Sequence, residues 1–391
     1  MTEKELFRVN NFDLIRLFAA LEVAIHHTLQ HFDFRDNLVY QSTGWLPGVP
    51  IFFFVSGFLI SKSYESNPRI AEYARNRALR IYPALIACTI LSVLSVFVTG
   101  YLSSQSWTIS GIVLWVISQM TVFQFYGPDF MRSFGSGVLN GSLWTVTVEL
   151  QFYVLIPVIY WILSKAVNNK SGRQLVLIGM ILFFSLTNVV NYQLHEHHSE
   201  LTIAKFAYVS FVSWIYMFLI GVLSQQNFLI LYHFVKGKAI QFVVGYIVLV
   251  ALYTHFLYWP TGNDITPILF PFLALAILSL AYTAPYLSDR LLHKNDISYG
   301  VYIYHMPIIN IMMYYGLTSK IVYVFAVIII TIVIASLSWL CLERIAIRKK
   351  TLPSCCSSKP IERVRKLVVL NYKNIVVSHE AILRIKHRIN L

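Results

Sequence analysis

The chain has 391 residues, of which 57% are hydrophobic and only 13% charged, against roughly 45–50% and 25% in soluble domains. With a mean hydropathy of +0.62, too little polar surface exists to solvate it, which excludes a soluble protein and points to an integral membrane protein. The formal charge of +13 then argues for basic segments held on the cytoplasmic side of a bilayer and against a nucleic-acid binder.

Crossing a bilayer takes about 20 mostly apolar residues of helix. Such runs fall near 10–30, 45–62, 81–100, 109–125, 144–164, 174–191, 205–223, 239–259, 267–284, 297–316 and 321–342. Lys62, Arg69, Arg75, Arg77 and Arg80 lie between the second and third, so that loop and the N-terminus are expected inside. The loops with Lys165, Lys170 and Arg173 and with Lys236 and Lys238 fall on the same side only if the 109–125 run enters and leaves by one face. The expected fold is therefore all-α: a polytopic membrane protein with ten transmembrane helices, a re-entrant segment near 109–125, and both termini cytoplasmic. Residues 1–343 form the membrane domain. Residues 344–391 form a basic tail with twelve Lys or Arg against two Glu, which is +10 of the +13. Such a tail suits anionic lipid headgroups.

Ionisable groups at membrane depth are costly and mark function by default. In the first run, Arg16 and His27 are eleven residues apart, three helical turns, so they share a face about 16 Å apart along the axis. Asp13 lies one turn before Arg16 and can pair with it. Glu22 and His26 can pair on the opposite face. Histidine suits proton abstraction near neutral pH, which makes His27 the candidate base. In IFFFVSGFLI, Ser56 and Gly57 permit close helix approach; Ser56 is also a polar candidate within the membrane. RNRALRIYP sets Arg77 and Arg80 three residues apart, with Tyr82 following. Two guanidinium forks on one face suit phosphate or pyrophosphate. The stretch GSLWTVTVELQFYVLIP buries Glu149 in an apolar helix, with Trp144 at its entrance and Tyr153 one turn on. ISYGVYIYHMP places His305 among Tyr299, Tyr302 and Tyr304, either tyrosine-bonded or functional. His195, Glu196, His197 and His198 lack the spacing of a helical zinc site and are expected in a solvated external loop. Cys88, Cys341, Cys355 and Cys356 form no CxxC pattern, so neither a disulfide framework nor a metal site is expected.

Taken in order, DLIRLFAALEVAIHH, FFFVSGFLI, RNRALRIYP, SLWTVTVELQFYVLIP and ISYGVYIYHMP resemble the acyltransferase-3 family of bacterial membrane acyltransferases, which includes O-antigen and other polysaccharide O-acetylases. The resemblance spans about residues 9–345. It implies an Arg-x10-His signature at Arg16 and His27 with the histidine as base, and an Arg-x-x-Arg pair at Arg77 and Arg80 associated with the acyl donor. The family's Trp-Ser-Leu-x-x-Glu motif falls on Trp144, Thr145, Val146 and Glu149, with Thr and Val departing from it. Its Trp-His-Trp-Pro end appears as Tyr304, His305, Met306 and Pro307, without either tryptophan.

The implied function is an O-acyltransferase, in the first instance an O-acetyltransferase. It would move an acetyl group from cytoplasmic acetyl-CoA to a hydroxyl of a cell-surface polysaccharide, lipopolysaccharide O-antigen or lipid-linked glycan, from the inner membrane and without a metal. His27, Arg16, Asp13 and Glu149 are the catalytic candidates; Arg77, Arg80 and Tyr82 face the donor; Trp144, Tyr153, His305 and Ser56 face the acceptor. Two other classes fit the hydropathy alone: a glycan or lipid-intermediate transporter with a proton relay, and an assembly factor docking through its tail. Deleting residues 350–391 separates the last of these, because an enzyme whose site lies in 1–343 keeps its turnover, measured as acetyl-CoA consumption by purified truncated protein, whereas a docking factor loses its effect.

Overall fold

A computed structural model describes residues 2–198, 201–257 and 261–348, and the described residues are helical, with turns and loops between. The longer helices are α1 (Phe12–His31), α2 (Gly48–Ser66), α3 (Ile70–Val98), α4 (Ile109–Gln119), α5 (Trp144–Ala166), α6 (Lys170–His197), α7 (Ile215–Gln226), α8 (Phe228–Val235), α9 (Ala239–Leu257), α10 (Phe270–Tyr282), α11 (Ser298–Tyr314) and α12 (Ile321–Ser338). Each apolar run of the sequence contains a helix. Six helical stretches are long and apolar enough to cross a membrane by length and composition, or seven if α7 and α8, bent by 90° at Asn227, count as one. Apolar side chains turned outward, such as Leu182, Phe183 and Ile329, fit a protein whose solvent is lipid.

Two features depart from the sequence expectation. The run expected at 205–223 is broken: a short helix, Thr202–Tyr208, and a 3-10 turn precede α7. Buried and half-buried polar side chains satisfy the freed backbone, as a break in an apolar setting requires. Gln151 of α5 accepts from Phe211 N at 2.7 Å and donates to Val209 O, and Asn188 donates to Ser213 O. The expected loop at His195–His197 is instead the last turn of α6, with His195 stacked on Tyr208 at 4.6 Å. Beyond the expected boundary at 343, the chain runs through a π turn, Trp339–Glu343, into the helix Arg344–Arg348; the rest of the tail lies outside the described residues.

At eleven residues, α4 is only about 16 Å long and cannot span a bilayer core of about 30 Å. It is followed by irregular backbone, which is stitched to the body by side chains. Gln119 donates to Gln124 O and Tyr126 O, and Asn310 of α11 donates to Val138 O and Leu139 O. Asn140 then donates to Ile303 O at 2.7 Å. This delivers the N-terminus of α5 against α11.

The core is organised by α1, α2, α7 and α11, with α12 closing over α11. Small residues set the crossings. A Cβ on Gly57 of α2 would sit 2.0 Å from Phe218 O of α7, and one on Gly221 of α7 would sit 2.3 Å from Phe54 O. Backbone meets backbone there, which only glycine permits. Gly57→Ala should therefore force α2 and α7 apart, at a cost of about 1–3 kcal/mol, read as a lower unfolding temperature in detergent; an unchanged temperature contradicts this packing.

Candidate functional site

Asp296, in the turn before α11, is bridged by two arginines from different helices. Arg16 of α1 reaches Oδ2 at 2.5 Å, and Arg80 of α3 binds the same oxygen. The other oxygen accepts from the Ser298 hydroxyl and backbone N–H. Asp296 is 6% exposed. Burial alone would push its carboxyl up, but Arg16, Arg80 and Ser298 outweigh that and hold it well below the usual carboxylate range. The expected Asp13–Arg16 pair is thus not formed: a carboxylate brought by the fold, offering itself to two cations, displaces the local one. Arg80 also lies 6.0 Å over the Trp339 ring.

A cavity of about 430 Å³ opens beside Arg16, lined further by Val49, Phe52, Phe53, Glu149 and Tyr302. The position of Thr145, which also lines it, is fixed by a 2.5 Å hydrogen bond with the Tyr302 hydroxyl. Glu149 Oε1 accepts from Ser56 at 3.1 Å and from Tyr153 at 2.6 Å, so the Ser56 hydroxyl is held by a carboxylate that it shares with a tyrosine. The Arg77 guanidinium lies over the Tyr153 and Tyr73 rings, at 5.7 and 5.9 Å, with its buried Nε unpartnered. Arg77 and Arg80, expected to act as one fork, therefore differ: Arg80 is committed to Asp296, whereas Arg77 meets tyrosine rings and forms no ion pair among the described residues.

Three turns along α1, His27 Nδ1 lies 2.9 Å from His305 Nε2, the rings stacked at 5.2 Å. His305 Nδ1 in turn faces Val301 O at 3.3 Å. A carbonyl can only accept, so His305 carries its proton on Nδ1 and its Nε2 accepts from His27 Nδ1–H. His27 is left with an unprotonated Nε2. Of the two alternatives for His305, bonding to His27 replaces bonding to a tyrosine. A second cavity, of about 290 Å³, is lined by His27, His26, Glu22 and Asn263. Glu22 and His26 do not pair as their spacing suggested: Glu22 accepts from Gly48 N at 2.7 Å, and His26 meets the Thr43 hydroxyl at 2.8 Å. A Cβ on Gly48 would lie 2.2 Å from Ala19 O, and that approach brings the exposed N–H of α2 to the carboxylate.

Trp144 packs against Tyr208 and Trp214, and Tyr82 lies half-buried against the apolar core; neither lines these cavities. Sequence reasoning missed Asp296 altogether. Its signal was present as Asp-x-Ser immediately before an apolar run, a helix-start pattern. No cluster of metal-ligating residues occurs among the described residues.

Residues 9–341 match the model of the acyltransferase-3 family, described as "Acyltransferase domain". The chain belongs to that family and is an acyltransferase, which sets the transporter reading aside. It is 28% identical to Nodulation protein 10 of Rhizobium leguminosarum bv. viciae over 88% of this chain and 94% of that one. It is 30% identical to the O-acetyl transferase of Shigella phage Sf6 over 46% and 53% of the two chains. It is 24% identical to the O-acetyltransferase OatA of Staphylococcus aureus over 46% of this chain and 29% of that one. No solved structure matches.

Removing one partner of a buried ion pair strands the others, at about 3–5 kcal/mol. Asp296→Asn should thus unfold well below wild type at pH 7. Because the folded carboxyl is depressed, its stabilisation is complete above about 3.8 and fades as pH falls below that value toward the folded one. Thermal unfolding in detergent should therefore separate the two proteins at pH 7 and bring them together in strong acid. A gap that widens on acidification would contradict the clamp.

Proposed function

We propose that the protein is an O-acetyltransferase of the cytoplasmic membrane. It takes the acetyl group from acetyl-CoA on the inner face and places it on a hydroxyl of a cell-surface polysaccharide or lipid-linked glycan. The topology that goes with this reading has ten spans, re-entry at α4, and both termini inside. Family membership supports it, as do the relatives whose names specify O-acetyl transfer.

The observation that carries the reading is the His305–His27 relay. Its hydrogen bonds leave His27, which lines the second cavity, with a lone pair on Nε2, in the state a general base requires. His27 takes the proton of the acceptor hydroxyl as the oxygen attacks the thioester carbonyl. The carbon–sulfur bond then breaks, and the proton held on His27 returns to the leaving thiolate. His305 does not touch the substrate; it accepts from Nδ1–H and stabilises the imidazolium that forms, as the orienting carboxylate does in a catalytic triad.

Arg77 is the cation suited to the donor's phosphates, since Arg16 and Arg80 both pair with Asp296. Arg77 has an orphaned Nε, and a buried donor of that kind calls for an acceptor. The Val49, Phe52 and Phe53 walls suit the apolar thioester arm between the two ends of α1.

His27→Ala should lower acetyl transfer by roughly 10²–10⁴-fold with the protein still in the membrane. His305→Leu should lower kcat at unchanged KM for acetyl-CoA. His305→Gln, whose amide oxygen can accept the same N–H, should recover part of the loss. Mass spectrometry of the acetylated glycan checks all three; equal activity of Leu and Gln variants would remove the relay, and full activity of His27→Ala would remove the base.

A further inference from the structure

Two outer loops meet over the His27 end of α1. Gly262 N donates to Gly44 O at 2.8 Å, and a Cβ on Gly44 would lie 3.0 Å from Thr261 Oγ1. Each loop is also tied to the core: Tyr246 donates to Trp45 O at 2.8 Å and Tyr216 to Ile265 O at 2.9 Å. The closure lies over the cavity that His27 lines.

The polar groups in this cavity have a consistent character. The Thr43 hydroxyl donates to Tyr40 O at 2.6 Å, so it accepts from His26 Nδ1–H, and His26 Nε2 is left as an acceptor. Tyr40 stacks on the His26 ring at 4.7 Å and fixes its orientation. Glu22 contributes a carboxylate with one oxygen held by Gly48 N. Asn263 lines the cavity half-buried, and no hydrogen bond of its carboxamide to another described residue is formed. Neither Lys nor Arg lines the cavity. Beside Asn263, burial and, to a lesser degree, the nearby Glu196 lift the Asp264 carboxyl to about 6. A ligand with several O–H donors meets acceptors here, whereas an anionic group meets the Glu22 carboxyl and neither Lys nor Arg among the described residues, in a confined site where an unpaired charge is costly.

We propose that this cavity is the acceptor subsite, that it takes an uncharged sugar ring in preference to a uronic acid or a phosphorylated sugar, and that Asn263 binds its hydroxyls. The proposal rests on the O-acetyltransferase reading above. A carboxamide that both donates and accepts can hold two vicinal hydroxyls, leaving a third to His27 Nε2.

The test uses full-length purified protein in lipid nanodiscs with acetyl-CoA and a panel of methyl glycosides: glucose, galactose, N-acetylglucosamine and rhamnose against glucuronic and galacturonic acid. Product is read by mass spectrometry. At least one uncharged glycoside should be acetylated with kcat/KM ten-fold or more above both uronides. Asn263→Ala should raise KM for that glycoside about ten-fold and leave KM for acetyl-CoA unchanged, which also shows that the variant is folded. A uronide used as well as the best uncharged glycoside overturns the proposal, as does an unaltered sugar KM in Asn263→Ala. If wild type transfers acetyl to none of them, the O-acetyltransferase reading fails and takes this proposal with it.

Discussion

One carboxylate, Asp296, holds two arginines from helices far apart in sequence, and the site depends on that clamp. Arg16 and Arg80 would otherwise be two guanidiniums repelling each other inside an apolar bundle. Asp296 converts them into a bridge between α1, α3 and the start of α11. Because α1 is a rigid rod, fixing Arg16 also fixes His27 about 16 Å further along its axis. Because α11 begins at the same carboxylate, His305 is fixed two turns along the other rod. The 2.9 Å contact between the two histidines is thus set from the opposite end of the helix pair.

Around this pair the bundle is interrupted, and side-chain amides satisfy the backbone before α5 and α7. Asn140, Gln151, Asn188 and Asn310 each bind backbone groups that a continuous helix would have satisfied internally. The breaks allow cavities at both ends of α1, where unbroken helices would pack to native density. Glycines at 48, 57 and 221 let backbones touch where α1, α2 and α7 cross.

Much of this was legible in the sequence. The apolar runs fixed where helices lie, and the order of motifs placed Arg16, His27, Glu149 and His305 in one family's pattern. Partners were not legible. Helical spacing assigned Asp13 to Arg16 and His26 to Glu22, because spacing reports neighbours on one helix and says nothing of what the fold carries in from a distance. Asp296 is 280 residues from Arg16, and the Gly48 N–H that takes Glu22 is a backbone group that no side-chain pattern encodes. The broken segment before α7 was read as one span because its composition is apolar throughout; Gln151 and Asn188, which make the break affordable, lie on other helices.

The central claim is that His27 is held with Nδ1 protonated and Nε2 bare. Solid-state 15N NMR of histidine-labelled protein in bilayers, with the His27 signals assigned by subtraction of a His27→Asn spectrum, reads that state directly. The account predicts a protonated Nδ1 and an unprotonated Nε2 that loses this pattern when His305 is replaced by Leu. A His27 with its proton on Nε2 would contradict it.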